Sequence, residues 1–353
     1  MTSARRIAVA MSGGVDSSVA AALLHAEGED VFGLMLRLSD QADGAANRCC
    51  APADIAAARQ VANQIGIPFY VVDAREAFER SVISPFVSGY AQGITPNPCI
   101  ECNRSMRWGF LLEHALAFGA THLATGHYAR VEQQGRQYLL RTGLDARKDQ
   151  SYVLHVLTQS HLARAVFPLG GLTKDQVRAR ARELSLKVAD RHESQDLCFV
   201  DGDYRAFLAA RGVVAHPGPI LGPAGEPLGQ HSGLAHYTLG QRQGLGIASG
   251  QALYVLEKDL VRNSLIVGPR QQVGRQLFDL AQLTWVAGKP PAPTFEAQVQ
   301  VRYHAARLHA RVQCSLPARA AVELEARQPD VAPGQSAVFY TGDVCLGGGI
   351  IQP

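Results

Sequence analysis

Two stretches of this sequence combine residue types that could bind and activate a substrate. The first, MSGGVDSS at residues 11–18, follows the apolar run RIAVA and leads into a helix-like segment, VAAALLHAEG. Backbone N–H groups at the end of a strand and at the start of the next helix bind phosphate oxygens. Gly13 and Gly14 would let the backbone turn tightly against such an anion. Three serines would add hydroxyl donors: Ser12, Ser17 and Ser18.

Asp16 is the most informative residue of this loop. A carboxylate beside a phosphate is repulsive unless a metal ion lies between them, so we assign Asp16 to Mg²⁺. The loop lacks the lysine and spacing of G-x-x-x-x-G-K-[ST], and it lacks the G-x-G-x-x-G of a dinucleotide turn. It resembles instead the SGGxDS loop of the PP-loop ATP pyrophosphatases, which adenylate a substrate oxygen. An ordinary glycine turn with a polar helix cap is the competing interpretation.

The second stretch, TPNPCIECNRSMRWG, contains two cysteines. We expect Cys99 and Cys102 to lie just before a helix, whose positive N-terminal end favours the thiolate. A third cysteine, Cys198, stands alone in HESQDLCFV, a pattern that predicts a strand edge opening into a cleft. One C-x-x-C with one distant cysteine suits either sulfur transfer through a persulfide or a three-thiolate iron–sulfur site. Half of a zinc site or two core thiols would also explain the C-x-x-C alone.

These residues need a scaffold, and the sequence alternates strand and helix patterns from residue 6 to about residue 126. The runs RIAVAM, VFGLML, PFYVVD and THLATG predict buried strands. Three helices are predicted between them, each closed by a glycine: residues 15–26, 54–65 and 106–118. This alternation predicts an α/β fold, a parallel sheet with helices on both faces. A hairpin around Gly135 and two further helices, in QSYVLHVLT and TKDQVRARARELSL, follow it.

The rest of the chain changes character twice. Residues 213–250 are rich in glycine and proline and cannot continue a helical layer, so we place a domain boundary near residue 205. Beyond about residue 270 the apolar residues alternate with period two, which predicts a small antiparallel sheet or barrel. We therefore expect three domains: residues 1–204, 205–269 and 270–353.

Composition indicates a globular protein, since 47% of the 353 residues are hydrophobic and 18% are charged. The net charge of +3 neither requires nor excludes a polyanionic partner. The absence of a long apolar window and of a signal-peptide pattern predicts a cytoplasmic protein with no membrane partner. In that reducing compartment we do not expect the seven cysteines to form a structural disulfide framework. A monomer is the expected state.

Eight motifs, in order and over essentially the whole chain, resemble the tRNA-specific 2-thiouridylase family. They are MSGGVDSS, TPNPCIECN, ATGHYAR, KDQSYVL, FPLGGLTK, ESQDLCFV, YTLGQRQGLG and GDVCLGGGII. The resemblance implies a PP-loop domain, a central domain and a C-terminal β-barrel. It also implies that ATP and Mg²⁺ are used to adenylate the C2 oxygen of the wobble uridine in a tRNA, which sulfur then replaces.

The resemblance further implies the site residues, position by position. The ATP site would be formed by Ala10, Met11, Ser12, Gly13, Gly14, Val15, Asp16, Ser17, Met35 and Gly126. The target base would meet Asn97, Pro98 and Cys99. Cys102 would be the nucleophile and Cys198 the persulfide carrier, and the two would finish as a disulfide that a reductant opens. Other tRNA contacts would be His127, Lys148, Asp149, Gln150, Arg302, Tyr303 and Gln335.

Cys99 departs from the family's other form, which has aspartate at this position. With Cys99, the chain has three thiols that could hold a [4Fe–4S] cluster with one open iron site: Cys99, Cys102 and Cys198. The persulfide route, with Cys99 as a bystander, is our first interpretation. The sulfur would come from a cysteine desulfurase or a relay protein, and the implied substrates are the tRNAs for Lys, Glu and Gln.

Two other functions stay open at this point. A PP-loop synthetase acting on a small carboxylate would need no cysteine for its chemistry. A non-catalytic tRNA-binding or metal-carrying protein would need no complete ATP loop, although this chain has one. Cys49 and Cys50 are adjacent, and we interpret them as buried thiols at the sheet edge rather than as functional residues.

Overall fold

The fold consists of short strands connected by helices, as a computed structural model of the chain shows. This structure describes residues 5–39, 52–191, 197–200, 202–247, 249–316, 318–329 and 331–353, so Cys49 and Cys50 lie outside the described residues. The strands there are β1 (Arg6–Ala10), β2 (Asp30–Arg37), β3 (Phe69–Asp73), β4 (His122–Thr125), β5 (Ala129–Gln134), β6 (Gln137–Thr142), β7 (Ala165–Val166), β8 (Gly218–Leu221), β9 (Pro227–His231), β10 (Tyr254–Asp259), β11 (Ser264–Gly268), β12 (Arg275–Trp285), β13 (Thr294–Gln300), β14 (Leu308–Leu316), β15 (Arg319–Gln328), β16 (Ser336–Thr341) and β17 (Val344–Ile351).

The helices lie mostly in the N-terminal half of the chain. They are α1 (Val15–Ala26), α2 (Pro52–Ile65), α3 (Arg75–Phe78), α4 (Ser84–Ala91), α5 (Pro98–Glu101), α6 (Leu112–Ala117), α7 (Ser151–Leu154), α8 (Gln159–Leu162), α9 (Lys174–Glu183) and α10 (Tyr204–Ala210). Two π-helical segments, Glu79–Ile83 and Cys102–Leu111, connect α3 with α4 and α5 with α6. Within the described ranges, no helix has both the length and the apolar character needed to cross a membrane.

The N-terminal sheet has five parallel strands in the order β3-β2-β1-β4-β7. The predicted parallel sheet is therefore confirmed, and the four runs predicted as strands form β1 to β4. The expectation that all four are buried was wrong for β3, where Tyr70 and Val71 are 40% and 36% exposed. An edge strand has a neighbour on only one side, so less of the fold covers it.

Helices cover both faces of this sheet because β1 is apolar on both. Ile7 and Val9 belong to a core shared with α1, α2 and α9, whereas Ala8 belongs to the core of the α3-to-α6 helices. Successive side chains of a strand point to opposite faces, so a strand buried on both faces needs a continuous apolar run. Ala10 pairs with Thr125 at the carboxyl ends of β1 and β4, which makes the loops after these strands neighbours.

The helix that carries the first two cysteines begins earlier than predicted. It starts at Pro98 and continues through the π-helical segment to the end of α6. The predicted start at residue 106 was wrong because Pro98 takes the first helical position and Asn97 caps the helix. Cys99 and Cys102 therefore lie within the first turns of the helix, not before it.

The two C-terminal parts are β structures. Strands β8 to β11 form a small sheet in the order β10-β11-β8-β9 with its own core. Strands β12 to β17 form an antiparallel barrel that closes through the pairing of β12 with β17, which confirms the predicted barrel. The hairpin predicted around Gly135 is β5–β6, and it extends the barrel sheet because β6 pairs with β17. Backbone pairing thus connects the barrel to the N-terminal part.

Candidate nucleotide and thiol site

The loop between β1 and α1 has the shape of an anion site. Gly13 has a φ of +72°, and a Cβ there would lie 2.6 Å from the carbonyl oxygen of Asp54, so this position requires glycine. Gly14 is the N-cap of α1, and no side chain of the described residues caps this end. The first N–H groups of α1 and its dipole are therefore available to an anion bound beyond Gly14.

The serines of this loop mainly stabilise the loop itself. The Ser17 hydroxyl accepts a hydrogen bond from the N–H of Ser12 at 3.1 Å and donates to the carbonyl of Gly14 at 3.2 Å. The hydroxyl of Ser18, which is fully buried, donates to the same carbonyl at 2.8 Å. Ser18 is thus a structural residue here, and donation of its hydroxyl to a phosphate stays a prediction. Ser12 is exposed, which leaves its hydroxyl accessible to a ligand.

Asp16 contacts two groups that sequence analysis did not single out. Lys174 Nζ lies 2.7 and 2.8 Å from its two carboxylate oxygens, and the hydroxyl of Tyr128 donates to Oδ1 at 2.8 Å. Lys174 is buried and is the first residue of α9, whose N-cap is Thr173. The sequence T-K-D-Q shows this helix start, but the contact joins residues 158 positions apart and no local pattern predicts it.

Asp16 fits the predicted Mg²⁺ as one ligand of an ion shared with phosphate oxygens. A carboxylate has about four lone-pair positions, and the contacts with Lys174 and Tyr128 use three of them. Within the described part of the chain, no three His, Cys, Asp or Glu side chains are placed to hold one metal ion. Mg²⁺ usually binds through one or two carboxylates together with substrate phosphates, so this donor set suits an ion that arrives with a nucleotide.

Gly126 allows the loop after β4 to lie directly on the first turn of α1. A Cβ at this position would be 2.9 Å from the backbone carbon of Asp16 and from the backbone nitrogen of Ser17. Lack of space, rather than φ, therefore requires glycine here. Met35, the other residue predicted outside the loop, is buried in β2 and packs in the core that α1 shares. Its side chain lies in the same hydrophobic core as Met11 and Val15 of the loop.

The two cysteines of the C-x-x-C differ in exposure, since Cys99 is exposed and Cys102 is half-buried. Asn97 Oδ1 accepts hydrogen bonds from the N–H groups of Cys99 and Ile100. Asn103 is buried and donates from Nδ2 to the carbonyl of Cys99 at 3.0 Å. These three hydrogen bonds fix the first turn, where the helix dipole favours a thiolate.

Cys198 lies in a turn, so the prediction of a strand edge was wrong. The next residue, Phe199, is buried among helices, with its ring centroid 5.8 Å from that of Phe78 and 5.2 Å from that of Phe86. Aromatic packing against helices, and not strand pairing, therefore fixes this stretch. Cys198 and Cys102 pack against the same hydrophobic core. The two predicted sulfur-carrying residues thus belong to one face of the sheet.

A [4Fe–4S] cluster on the three cysteines stays a prediction. Cys99, Cys102 and Cys198 all fall within the described ranges, where no group of three or more His, Cys, Asp or Glu could hold a metal ion. A cluster ligated by all three would require their sulfur atoms to be grouped around it. The persulfide interpretation requires only that Cys102 and Cys198 approach each other, because these two form the final disulfide.

His127 is buried and contacts Arg107. A guanidinium can only donate, so Nε2 of His127 accepts the hydrogen bond from Arg107 at 2.9 Å. The ring proton is therefore on Nδ1, which donates to Thr125 Oγ1 at 2.7 Å. Burial, assisted by the charge of Arg107, lowers the pKa of His127 well below its usual value. A direct tRNA contact by His127 stays a prediction; here His127 orients Arg107, which is partly exposed.

The loop at residues 148–150, also predicted to contact tRNA, is fixed from within the protein. Asp149 accepts hydrogen bonds from the N–H of Ser151 at 3.0 Å and from its hydroxyl at 2.8 Å. Gln150 Oε1 accepts from the N–H of Tyr128 at 3.0 Å. The Tyr128 contact connects the loop to the nucleotide site, so the two sites are not structurally independent.

The barrel supplies three predicted tRNA contacts. Arg302 is exposed and Tyr303 is partly exposed, at the start of the loop after β13. Gln335 Nε2 donates to the carbonyl of Thr95 at 2.8 Å, two residues before Asn97. Gln335 therefore connects the barrel to the start of the cysteine-bearing helix.

Comparison with known families gives three matches along the chain. Residues 5–202 match the tRNA methyl transferase HUP domain. Residues 205–269 match the tRNA methyl transferase PRC-barrel domain, and residues 275–351 match the aminomethyltransferase β-barrel domain. These matches agree with an N-terminal parallel sheet, a small central domain and a C-terminal barrel.

Relatives of known name are similar over the full length. The chain is 48% identical to the tRNA-specific 2-thiouridylase MnmA of Chloroflexus aggregans, covering 98% of each chain. It is 47% identical to the MnmA of Geobacter metallireducens, covering 99% of this chain and 97% of the relative. A solved structure, the U34-tRNA thiolase NcsA from Methanococcus maripaludis with its [4Fe–4S] cluster, is 19% identical over 59% of this chain and 64% of NcsA. Its TM-score is 0.34.

Proposed function

Since this chain belongs to the tRNA-specific 2-thiouridylase family, we propose that it uses ATP to replace the C2 oxygen of a tRNA wobble uridine by sulfur. The observation that carries the proposal is the loop of Gly13 and Gly14 at the uncapped end of α1, with the Asp16–Lys174 pair beside it. A methyl or aminomethyl transfer, which the names of the three matched domains mention, requires neither a phosphate loop nor a pair of cysteines. Thiolation uses both features.

ATP would bind with its phosphates beyond the first turn of α1, where the N–H groups of the loop are directed. The proposed site keeps the loop residues 10–17 with Met35 and Gly126, and it adds Lys174 and Tyr128, which contact Asp16. Lys174 would supply positive charge to the phosphates from the side of α9. Mg²⁺, held by Asp16 and by the phosphates, would neutralise charge that develops on the departing pyrophosphate.

Adenylation would turn a poor leaving group into a good one. The C2 oxygen of uracil would attack the α-phosphorus of ATP, and pyrophosphate would leave. The terminal sulfur of a Cys198 persulfide would then form a bond with C2, and AMP would leave with the former uracil oxygen. Cys102 would attack the inner sulfur, releasing 2-thiouridine and forming a Cys102–Cys198 disulfide that a dithiol must reduce. If Cys102 first releases the sulfur as hydrosulfide, the products are the same.

The wobble base would have to leave the anticodon stack to reach this site, at a cost of about a few kcal/mol. Asn97, Pro98 and Cys99 would meet the base. The other proposed tRNA contacts would hold the loop around it. They are Lys148, Asp149, Gln150, Arg302, Tyr303, Gln335 and Arg107, which His127 orients. Recognition of a single-stranded loop by scattered polar and aromatic groups suits a net charge of only +3. We propose the tRNAs for Lys, Glu and Gln as substrates. The sulfur donor would be a cysteine desulfurase or a relay protein, and the protein would act as a cytoplasmic monomer.

Nucleoside analysis tests this proposal. A transcript of one of these tRNAs is incubated with the protein, ATP, Mg²⁺, cysteine and a cysteine desulfurase, and 2-thiouridine is quantified. Wild type and Cys99→Ala should form it, whereas Cys102→Ser and Cys198→Ser should not. Cys314→Ser, which changes a half-buried thiol of the barrel, is the matched control.

Each other outcome would contradict a defined part of the proposal. ATP turnover without 2-thiouridine in wild type would contradict the substrate. Thiolation by Cys198→Ser would contradict the persulfide carrier. Loss of thiolation in Cys99→Ala would favour the three-thiol iron–sulfur route instead.

A further inference from the structure

The loop of residues 143–151 has one side against the nucleotide site. Asp145 of this loop is buried, and its Oδ2 accepts a hydrogen bond from the N–H of Lys174 at 3.1 Å. The ammonium of Lys174 contacts both carboxylate oxygens of Asp16. Asp145 therefore fixes the main chain at the point from which the Lys174 side chain reaches Asp16. Sequence analysis singled out KDQSYVL, which begins three residues after Asp145, but not Asp145 itself.

The same loop also contacts Tyr128, the other residue that donates to Asp16. The N–H of Tyr128 donates to Gln150 Oε1 at 3.0 Å, and the N–H of Gln150 donates to the carbonyl of Tyr128 at 2.9 Å. The hydroxyl of Tyr128 donates to Asp16 at 2.8 Å. A Cβ at Gly143 would lie 2.7 Å from the carbonyl oxygen of Tyr128, so the loop lies directly on this residue. One short loop thus fixes both Lys174 and Tyr128.

The outer side of this loop is accessible to a large ligand. The side chain of Arg147 is 81% exposed, and Lys148 is partly exposed. Residues 148–150 are proposed tRNA contacts, and arginine and lysine side chains bind the phosphates of a nucleic acid. The loop therefore has an outer side suited to tRNA and an inner side that contacts the nucleotide site.

Asp145 connects these two sides through its two carboxylate oxygens. Oδ1 accepts from the N–H of Arg147 at 3.1 Å, whereas Oδ2 accepts from the N–H of Lys174. The hydrogen bond from Lys174 lowers the pKa of Asp145 below its usual value, which keeps the carboxyl ionised at neutral pH. An asparagine has only one oxygen, so its NH₂ group would face one of these two N–H groups. The position therefore requires a carboxylate.

We propose that Asp145 is a positioning residue that couples tRNA bound on this loop to the nucleotide site, so that each ligand strengthens the binding of the other. RNA bound at Arg147 and Lys148 fixes the outer side of the loop. The carboxylate of Asp145 then fixes Lys174, whose ammonium is directed at the phosphates. Whichever ligand binds first orders this connection, so the second binds more tightly, by the same factor in both directions. The inference rests on the proposed function for the binding of tRNA at the loop.

The experiment measures equilibrium binding to the full-length protein by isothermal titration calorimetry. The first titration gives the Kd of an ATP analogue that has a methylene bridge between the α- and β-phosphorus, in the presence of Mg²⁺. It is done without RNA and with a saturating synthetic anticodon stem-loop that has uridine at the wobble position. The reverse titration gives the Kd of the stem-loop without and with the analogue. In wild type we expect each ligand to lower the Kd of the other about tenfold, within the typical range of coupling between sites.

Asp145→Asn should reduce this mutual effect to about twofold or less, because one of the two hydrogen bonds is lost. Asp175→Asn is the matched control, since it removes an exposed carboxylate from the first turn of the same helix, and it should retain the full effect.

A double-mutant cycle tests whether Asp145 acts through Lys174. Asp145→Asn should weaken binding of the analogue when Lys174 is present, and it should have no further effect when it is combined with Lys174→Met. A merely structural role of Asp145 would weaken binding equally in both backgrounds, which would contradict the inference.

The inference is overturned if wild type binds both ligands with no mutual effect, or if Asp145→Asn retains the full effect. Retention would mean that RNA and nucleotide influence each other by direct contact. Should Asp145→Asn fail to fold, Lys174→Met decides, because it should lose the mutual effect as well. Failure of the proposed function looks different: the stem-loop would not bind, or wild type would bind it and form no 2-thiouridine. In the second case the mutual effect would still be measurable, since neither Kd depends on sulfur transfer.

Discussion

The ammonium of Lys174 lies 2.7 and 2.8 Å from the two carboxylate oxygens of Asp16. Lys174 begins α9 and Asp16 lies in the first turn of α1, so the contact joins two helix N-termini at one point. Before a nucleotide binds, the ammonium of Lys174 balances the negative charge of Asp16. It also places a cation beside the proposed phosphate site.

Replacing Lys174 should therefore impair the nucleotide step. We expect Lys174→Met to lower kcat/KM for tRNA-dependent AMP formation about 10²–10³-fold, the range for losing one preorganised electrostatic contact. Lys187→Met, which removes an exposed lysine after the same helix, should leave it unchanged. Equal activity of the two variants would show that Lys174 does not act on the phosphates.

Gly126 provides a test of the packing between the β4 loop and α1. Gly126→Ala should raise the KM for ATP about tenfold, about 1.4 kcal/mol, because the new Cβ would displace the first turn of α1. Gly171→Ala is the matched control, since a Cβ at Gly171 would have no atom within 4 Å among the described residues. A KM that rises equally in both variants would contradict the packing argument.

Asn97 should contribute to stability through its cap as well as to function. Asn97→Ala removes the acceptor for two N–H groups and should cost about 1 kcal/mol of unfolding free energy in urea titrations. Asn97→Asp retains a capping oxygen, so its stability should stay close to that of wild type. Both variants should thiolate poorly if the amide meets the target base. An equal loss of stability in the two would exclude the cap as the cause.

Acid should destabilise the fold through its buried histidines. Burial lowers the pKa of His155 to about 4 and that of His127 well below its usual value, whereas in the unfolded chain both lie near about 6.5. The unfolded state therefore binds more protons as the pH falls below about 6.5, and each histidine removes up to about 1.4 kcal/mol of stability per pH unit. Above that pH, this contribution is constant.

Urea unfolding at pH 8, 7, 6 and 5 measures this slope. His127→Gln should show a shallower decrease below about pH 6.5 than wild type, because one titrating group is gone. Identical slopes would show that folding does not change the protonation of His127. That result would contradict its role as a neutral acceptor from Arg107.

The sequence predicted much of the scaffold because local patterns determine it. Continuous apolar runs defined β1 to β4, and period-two alternation indicated the barrel. Boundaries were missed where a capping residue outweighed the apolar pattern, as at Asn97 and Pro98. At Cys198 an apolar pair resembled a strand, although aromatic packing on helices fixes it.

The site was predicted less completely because its contacts are long-range. The loop glycines could be recognised from spacing alone. The contacts of Asp16 with Lys174, and of Gly13 with Arg191, join residues 158 and 178 positions apart, and composition or periodicity carries no signal of them. His127 is buried beside residues distant in sequence, such as Arg107 and Phe167, so the sequence indicated the residue but not its contacts.

Transfer of oxygen tests the central claim of adenylation most directly. An anticodon stem-loop synthesised with ¹⁸O at C2 of the wobble uridine is incubated with the protein, ATP, Mg²⁺ and a sulfur source, and the AMP is analysed by mass spectrometry. If the C2 oxygen attacks ATP and leaves with the phosphate, the AMP carries one ¹⁸O for each 2-thiouridine formed. Unlabelled AMP accompanying 2-thiouridine would contradict adenylation of the base.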